Sequence, residues 1–401
     1  MDFATLRDVD VRGKRVLLRE DFNVPMQGGT IADDSRITAA LPTLRWLQQH
    51  GAKTVILSHL GRPDGKPDPK FSLRPVAVRL SELLGAGVAF VDDCIGEQCV
   101  AASKALPDGG FVLFENVRFH PEEEQNDPAF ARALAESGDL YVNDAFGTAH
   151  RAHASTVGVA SYLPAYAGFL MAAELEALGR LTRNPAHPFV CAIGGAKVSD
   201  KVGVFEHLLG TVDAFVIGGG MANTFLAASG VDVGASLRDR DLAPATRIMA
   251  HAGERGVALH LPTDAVVADA FDADATARVV AIADVDGALI LDIGPATARA
   301  YSGVLRAAKT IVFNGPMGVY EKPAYQAGTR VVGEAIAEAT RGGATSVVGG
   351  GDATAAAHAL GFAGAVTHVS TGGGATLEFL EGKTLPGVAA LERAAREQSA
   401  V

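Results

Sequence analysis

The chain has 401 residues, of which 48% are hydrophobic and 20% are charged, and this composition is that of a globular protein rather than a disordered or fibrous one. Its length exceeds the size at which a single hydrophobic core keeps growing, which predicts two domains. A formal net charge of -11 argues against non-specific binding to nucleic acid or to an anionic membrane.

The sequence has no apolar run near the roughly 20 residues that span a bilayer, and its opening residues are too charged for a signal peptide. We therefore expect a cytoplasmic protein. We also expect a monomer, because nothing in the sequence indicates an obligate oligomer. The three cysteines, Cys94, Cys99 and Cys191, are too few and too irregular for a disulfide framework. Cys94 and Cys99 have no His or Cys partner at zinc spacing, so we interpret all three as reduced packing residues.

Short apolar runs recur along the chain, and each is followed by Gly, Asn, Asp or His. Such runs are typical of strands that are buried on both faces. The runs are RVLLRED, TVILSHLG, FVLFENVRF, LYVNDAFG, FVCAIGGAK, AFVIGGGMAN, ALILDIGP, TIVFNGP, TSVVGGGD and THVSTGGG. Helical patterns, as at 38–50 and 323–340, alternate with them, so we predict an α/β fold of two Rossmann-like domains with parallel sheets.

The residues that follow these strands change character along the chain. Before about residue 160 they include Arg, His, Asp and Asn, and after about residue 188 they are mostly glycine triplets. A helical pattern over 167–184, followed by a turn-prone NPAHP, predicts a connecting helix and hinge. We therefore predict two domains that bind different ligands, over 1–166 and 185–387, joined by this helix over 167–184 and followed by a C-terminal segment over 388–401.

Four arginines of the first half lie at the carboxyl ends of strands or in the loops that follow, and three histidines share these loops. They are Arg36, Arg62, Arg118 and Arg151, with His59, His150 and His153. Converging guanidinium groups would hold a small polyanion through charge-assisted bonds. The alternative for any single arginine is an ion pair with a surface carboxylate.

Three further positions of the first half leave two interpretations open. Asp21 and Asn23 could bind substrate hydroxyls, or could cap a turn before Pro25. His59 could be a charge partner for phosphate, or a buried and hydrogen-bonded residue.

In the second half, GGAKVSDK predicts a helix that begins after two glycines, with Lys197 and Lys201 on one face of its first turns. GGGD predicts another helix start, at which Asp352 is an N-cap, a ligand of Mg²⁺, or both. The sequence lacks the GxGxxG of dinucleotide-binding dehydrogenases and the P-loop GxxxxGK[ST], since EGKT at 381–384 has Leu377 where the first glycine belongs.

Taken together and in order, these motifs resemble the phosphoglycerate kinase family over nearly the whole chain. The motifs are RxDFNVP, DDSRITAALPT, SHLGRP, FENVRF, VNDAFGTAHRAHAS, GGAKVSDK, GGGMANTF, NGPMGVYE, GGGD and STGGGATLEFLEGKTLPGV. The resemblance implies phosphoryl transfer between 1,3-bisphosphoglycerate and ADP, giving 3-phosphoglycerate and ATP with Mg²⁺. It also implies that 1–166 is the substrate domain, that 185–387 is the Mg-nucleotide domain, and that a helix and hinge join them. An NAD-dependent dehydrogenase would need the missing GxGxxG, and a non-catalytic two-lobed binding protein would lack a Mg-nucleotide site.

The resemblance also implies the site residues. Substrate contacts are expected at Asp21, Asn23, Arg36, His59, Arg62, Arg118 and Arg151. Nucleotide contacts are expected at Lys201, Gly218, Gly219, Asn314, Glu321, Gly350, Gly351, Asp352, Ala353, Gly372 and Gly373, with Asp352 as the metal ligand. Arg36, Lys197 and Lys201 are the expected catalytic residues. Ala353 departs from the family, which usually has Thr or Ser there. Its side chain offers no hydroxyl for a contact to phosphate, and the neighbouring Thr354 is the alternative source of that contact.

Overall fold

The protein is described by a computed structural model that covers residues 3–272 and 277–399. The chain forms two compact units, each described here by itself. Unit 1 comprises the chain up to Leu175 and again from Thr384, and unit 2 comprises Glu176–Lys383. The predicted domain limits at 166, 184 and 387 lie near these divisions, but the connecting helix contributes residues to both units.

Unit 1 is built around a parallel six-stranded sheet. Its strands are β1 (Arg15–Arg19), β4 (Lys53–Leu57), β5 (Val88–Val91), β6 (Phe111–Phe114), β7 (Leu140–Asn143) and β8 (Ala165–Ala167), and a hairpin is formed by β2 (Met26–Gln27) and β3 (Thr30–Ile31). The order is β5-β6-β4-β1-β7-β8, so the direction of winding reverses at β1. Ligands of parallel sheets bind at the carboxyl ends of the strands beside such a reversal.

Helices connect these strands. They are α1 (Ser35–Gln49), α2 (Arg74–Leu84), α3 (Glu97–Ala105), α4 (Pro128–Ala135) and the first half of α5 (Phe169–Thr182). Their ends follow from local chemistry: the Asp127 side chain accepts the Phe130 N–H at 2.8 Å before α4, and Gly85 takes a left-handed φ of 64° after α2. The C-terminal α13 (Pro386–Ser399) also belongs to unit 1, where the Gly387 N–H donates to the Ala149 carbonyl at 2.8 Å.

Unit 2 contains a second parallel six-stranded sheet. Its strands are β9 (Phe189–Ile193), β10 (Ala214–Ile217), β11 (Ala258–His260), β15 (Thr310–Asn314), β16 (Thr345–Val348) and β17 (His368–Val369). The order is β11-β10-β9-β15-β16-β17, which places the reversal between β9 and β15. Every residue of these two central strands is buried, which explains why both read as continuous apolar runs.

One predicted strand lies in a different sheet. The run ALILDIGP forms β14 (Leu289–Ile293), which pairs antiparallel with β12 (Asp264–Ala268), and β12 in turn pairs antiparallel with β13 (Arg278–Ala281). The prediction that this run belongs to a parallel sheet is therefore wrong. An apolar run reports burial but not the direction of its partner, and β12 was not recognised in the sequence.

The helices of unit 2 connect its strands in the same alternating way. They are the second half of α5, α6 (Val202–Leu208), α7 (Gly219–Ala228), α8 (Ala243–Arg255), α9 (Pro295–Ala307), α10 (Ala327–Arg341), α11 (Gly351–Ala359) and α12 (Gly374–Leu380). Each unit has its own hydrophobic core. The α/β class with two parallel sheets is thus confirmed.

Neither a membrane span nor a disulfide is found in the part of the chain that the structure describes. No helix there is long and apolar enough to cross a bilayer. Cys94, Cys99 and Cys191 are buried and free, as expected.

Candidate active site

The basic residues of unit 1 meet at the carboxyl edge of its sheet, around the reversal at β1. Asp21 and Asn23 follow β1, His59 and Arg62 follow β4, Arg118 lies in a 3₁₀ turn (Val117–Phe119) after β6, and Arg151 follows β7. Arg36 lies in the first turn of α1 and not in a loop, because the helix begins at Ser35, three residues before the predicted 38–50. We call Arg36, His59, Arg62, Arg118 and Arg151, together with His150 and His153, the basic cluster.

Asp21 links two members of the basic cluster. Its carboxylate pairs with the Arg36 guanidinium at 2.5 Å and lies 3.9 Å from His59 Nδ1. The Arg36 side chain is 36% exposed whereas that of Asp21 is 10% exposed, so the guanidinium reaches toward solvent from a buried carboxylate. Arg36 is therefore held in place and remains accessible to an incoming anion.

Arg118 and Asn23 are joined through the backbone of Gly61. The Gly61 N–H donates to Asn23 Oδ1 at 2.8 Å, and Arg118 donates to the Gly61 carbonyl at 3.0 Å. Arg118 also lies 3.2 Å from the exposed Glu124 carboxylate. These contacts fix the loop after β4 against the segment after β6.

Excess positive charge shapes the titration of the basic cluster. Burial, together with Arg19 and Arg151, lowers the pKa of Arg118 to about 10. Burial and the nearby arginines hold the pKa of His59 well below its usual value and lower that of His153 to about 3. Both imidazoles are thus neutral at pH 7, and the structure favours the buried, hydrogen-bonded alternative for His59. A bound polyanion would relieve the repulsion among these groups.

Arg62 and Arg151 have exposed side chains. Arg151 lies near enough to Arg118 and His153 to lower the pKa of each. Arg62 is placed by its loop position at the same edge of the sheet, three residues after His59.

In unit 2, Lys201 lies at the carboxyl edge of the sheet, as the basic cluster does in unit 1. Its Nζ donates to the Gly194 carbonyl at 2.7 Å and to the Asn314 carbonyl at 2.6 Å. Gly194 follows β9 and Asn314 ends β15, so the ammonium lies at the reversal of the second sheet. A Cβ on Gly194 would come within 2.0 Å of the Pro316 carbonyl, so a side chain at this position would push the two loops apart.

The predicted helical placement of the two lysines is wrong. Helix α6 begins at Val202, so Lys197 and Lys201 both precede it. The Asp239 carboxylate accepts the backbone N–H groups of Val198 and Ser199 at 2.8 and 3.1 Å, and this holds the segment as a loop. Lys197 is exposed and Lys201 is largely buried, so the two ammonium groups do not share a helix face.

The GGGD motif does start a helix, but Asp352 is not its N-cap. Gly350, with a φ of 100° that favours glycine, is the cap of α11, and Gly351, Asp352 and Ala353 form its first turn. The Ala353 side chain is buried in the core of unit 2, leaving only its backbone toward a ligand. The neighbouring Thr354 hydroxyl donates to the Ser370 carbonyl at 3.3 Å.

Asn314 is buried beneath this glycine motif. Its Nδ2 donates to the Gly349 carbonyl at 2.7 Å, whereas its Oδ1 is buried without a hydrogen-bond partner among the described residues. An unpaired buried acceptor is costly, so the Oδ1 atom fits a donor supplied by a ligand.

A cavity of about 780 Å³ opens in unit 2 beside these loops. Of the predicted nucleotide residues, Gly219, Glu321 and Asp352 line it. Further lining residues include Gly195, Asn223, Leu237, Phe271, Pro316 and Tyr320. The combination of apolar walls, backbone loops and carboxylates suits a ligand with both a flat apolar part and charged groups.

The remaining predicted glycines lie outside the lining of this cavity. Gly218 is the N-cap of α7 and packs on Met317, and Gly373, with a φ of 49°, is the N-cap of α12. Gly372 precedes it and donates its N–H to Ser370 Oγ at 3.1 Å. These turns follow strands of the same sheet, so they share its carboxyl edge.

Comparison with known proteins identifies the family. The family model described as phosphoglycerate kinase matches residues 6–383. The phosphoglycerate kinase of Chloroflexus aurantiacus is 57% identical over 98% of this chain and 100% of its own length, and that of Moorella thermoacetica is 55% identical over 96% and 98%. The chain belongs to the phosphoglycerate kinase family.

Solved structures agree with this assignment. The phosphoglycerate kinase structure from Coxiella burnetii has a TM-score of 0.90 and 44% identity, and covers 98% of this chain and 100% of its own. The protein is therefore a kinase, a transferase that uses ATP, with the glycolytic function of phosphoglycerate kinase.

Sequence reasoning missed Arg19, which lies buried against His59 of the basic cluster. Arg19 is fully buried at the end of β1, donates to Ser155 Oγ at 2.8 Å and lies 3.2 Å from His59 Nδ1. Ser155 in turn donates to the buried Glu123 at 2.6 Å. The only local signal was an arginine inside the apolar run RVLLR, because its partners are far away in sequence.

We predict that the ammonium of Lys201 makes nucleotide binding by this kinase dependent on pH. Burial lowers the pKa of Lys201 from 10.5 to about 8, although Asp352 and Asp200 act in the opposite direction. The free protein therefore loses this positive charge above about pH 8. We expect ADP affinity, measured by calorimetry over a pH series that brackets 8, to fall by up to about tenfold per pH unit above it.

The matched control is Lys309→Ala, which removes an exposed lysine of unit 2 and should leave this profile unchanged. In Lys201→Met, the ADP affinity should no longer depend on pH in this range. An ADP affinity that stays constant through this range in the native chain would contradict the assignment.

Proposed function

We propose that the basic cluster of unit 1 binds 3-phosphoglycerate or 1,3-bisphosphoglycerate, and that the glycine loops and cavity of unit 2 bind Mg²⁺ with ADP or ATP. The observation that carries this proposal is that each unit has a different set of groups at the carboxyl edge of its own sheet. The edge in unit 1 gathers arginines that repel one another together with neutral histidines, and the edge in unit 2 gathers glycine loops around the Lys201 ammonium.

On the substrate side, Arg62, Arg118 and Arg151 position the remote phosphate of the triose. Their guanidinium groups offer paired donors of fixed geometry to phosphate oxygens. Asp21 and Asn23 bind the hydroxyl and carboxyl end of the substrate, and His59 supports them from beneath. The proposed roles fit the observed network, since Asp21 and Asn23 already lie against Arg36 and the Gly61 loop.

On the nucleotide side, Gly219 and Glu321 contact the part of the ligand inside the cavity, and Asn314 receives a donor at its unpaired Oδ1. The first turn of α11, which contains Gly351 and Ala353, directs backbone N–H groups at phosphate. The turns at Gly218, Gly350 and Gly372–Gly373 bring further backbone close to the phosphates.

The Asp352 carboxylate is suited to bind Mg²⁺. Its carboxylate is exposed in the first turn of α11 and lines the cavity, and Mg²⁺ in nucleotide sites takes one or two carboxylates together with phosphate oxygens. When bound, the ion neutralises charge on the phosphates. Asp352 also interacts electrostatically with Lys201, so the cation site and the ammonium flank the same phosphate chain.

The chemical step needs no general base, because the attacking oxygens of ADP and of 3-phosphoglycerate are already anionic at neutral pH. Catalysis is then alignment and charge compensation during direct in-line transfer. We assign Arg36 of unit 1 and Lys201 of unit 2 to opposite sides of the transferring phosphoryl group, with Lys197 supporting it. Because the two ligands bind to different units, transfer requires the units to close, which also excludes water from the acyl phosphate.

The division of labour between the units is testable by steady-state kinetics. The assay couples 3-phosphoglycerate and MgATP to a dehydrogenase that consumes 1,3-bisphosphoglycerate. We expect Arg118→Ala to raise KM for 3-phosphoglycerate about 10- to 100-fold with KM for MgATP nearly unchanged, and Asp352→Asn to do the reverse. Each variant removes a charged contact to one ligand only.

The control is Arg45→Ala, which removes an exposed arginine of α1 that donates to the Leu83 carbonyl, and both KM values should stay native. If either site variant raised both KM values equally, the assignment of one ligand to each unit would be wrong. The monomeric state and the cytoplasmic location remain predictions, and light scattering on the purified chain measures the first.

A further inference from the structure

A set of metal-ligating side chains lies in unit 1 apart from the proposed substrate residues. Asp93, Cys94 and His120 each offer one ligand atom, and these three atoms all lie within 4.8 Å of one another. The set combines a carboxylate oxygen, a thiol sulfur and an imidazole nitrogen. None of the three has a role in the phosphoryl transfer proposed above.

The sheet topology brings these residues together. Asp93 and Cys94 follow β5, and His120 follows the 3₁₀ turn after β6. Strands β5 and β6 are parallel neighbours, so their carboxyl ends lie at the same edge of the sheet. The prediction that Cys94 lacks a metal-binding partner considered only sequence spacing, and a separation of 26 positions between Cys94 and His120 lies outside the usual short zinc motifs.

The three side chains are already oriented toward one point. His120 Nε2 lies 2.8 Å from Asp93 Oδ1, and the same oxygen accepts the Cys94 N–H at 2.6 Å. The Cys94 side chain is fully buried, whereas those of Asp93 and His120 are 48% and 28% exposed. The sulfur therefore lies at the closed end of the group, and the oxygen and nitrogen lie at its open end.

The open end faces a cavity of about 480 Å³ that Asp93 and His120 help to line. The carboxylates of Asp68, Asp92 and Glu115 line it as well. Lys70 pairs with Asp68 at 3.0 Å, and Arg74 pairs with Asp92, so part of this negative charge is compensated at the rim. The cavity provides room for a solvent ligand and a route of entry for a cation.

We propose that Asp93, Cys94 and His120 form a zinc site with one solvent molecule in the fourth position. Zinc accepts sulfur, nitrogen and oxygen ligands in tetrahedral sites, whereas Mg²⁺ and Ca²⁺ prefer oxygen alone. On binding, the metal replaces the Cys94 thiol proton, which leaves to the buffer. His120 Nε2 and Asp93 Oδ1, which contact each other in the free protein, each bind the metal instead.

Such a metal would tie the loop after β5 to the segment after β6. Arg118 lies two residues before His120 in this segment, so the site would fix the position of a proposed substrate arginine without touching substrate. Its role is therefore structural and positioning rather than catalytic.

The test uses the full chain after treatment with a chelator, titrated with Co²⁺ as a spectroscopic substitute for zinc. We expect one equivalent to bind, with a thiolate-to-cobalt charge-transfer band, and Zn²⁺ to displace it stoichiometrically. Cys94→Ala should abolish the band, and His120→Ala should weaken Co²⁺ binding at least about tenfold. Excess Zn²⁺ should raise Tm of the native chain by about 5 °C and leave Tm of His120→Ala unchanged.

The matched control is Cys191→Ala, which removes a buried cysteine of unit 2 and should keep the full band. A native chain without the band, or a band that survives in both Cys94→Ala and His120→Ala, would overturn the proposal. If Cys94→Ala fails to fold by circular dichroism, His120→Ala and Asp93→Asn decide the outcome, since both side chains are partly exposed.

Discussion

Replacing Arg36 with methionine is expected to lower kcat by about 100- to 1000-fold and to leave the ADP affinity within about twofold of native. Methionine keeps most of the side-chain volume and removes the charge. Arg36 belongs to unit 1 and its guanidinium is accessible, so the nucleotide site of unit 2 does not depend on it. The measurement pairs the coupled assay with calorimetric titration of ADP.

Arg45→Met on the same helix is the matched control, and its kcat should remain native. The variant also leaves the Asp21 carboxylate without its partner, so the KM for 3-phosphoglycerate reports any displacement of Asp21. A loss of ADP affinity as large as the loss of kcat would show that Arg36 does not act mainly on the transferring group.

Lys201→Met is expected to lower both quantities: kcat by about 100- to 1000-fold and ADP affinity by at least about tenfold. The ammonium donates to the Gly194 and Asn314 carbonyls, so its loss removes a charge from the phosphate site and takes a donor from both oxygens. The Asn314 carbonyl keeps the Gly194 N–H at 3.3 Å. The same assay and titration measure the effects.

Lys309→Met, at an exposed lysine of the same unit, should leave kcat and ADP affinity near native. The two variants are expected to differ in ADP affinity, which Arg36→Met keeps and Lys201→Met loses. If Lys201→Met lowered kcat with unchanged ADP affinity, the ammonium would act only in the transition state. If Lys201→Met changed neither quantity, the proposed place of Lys201 beside the transferring phosphoryl group would be wrong.

Much of the fold was predictable because a strand that is buried on both faces has a continuous run of apolar residues in its sequence. Strands β9 and β15 are buried throughout, and both were recognised as apolar runs. The exposed β13 has no such run and was not predicted. The run of β14 was correctly predicted as a strand but was assigned to a parallel sheet, because its partner strands could not be inferred from its own residues. Strand direction depends on pairing at long range.

Contacts with residues distant in sequence explain the errors around the site. The segment with Lys197 and Lys201 reads as a helix start, but the distant Asp239 holds it as a loop. Arg19 was overlooked because its function depends on Ser155, at a sequence separation of 136 positions. The motifs and their order pointed to the family, whereas the protonation of His59 and the burial of Lys201 required the packed structure.

The position of helix α13 has a consequence for biosynthesis. Unit 1 is built from two segments that lie on either side of unit 2 in the sequence, whereas unit 2 is one continuous stretch between them. During translation, all of unit 2 is therefore synthesised before α13. Although amino-terminal domains generally fold first, unit 1 cannot complete its packing until α13 has left the ribosome, after unit 2.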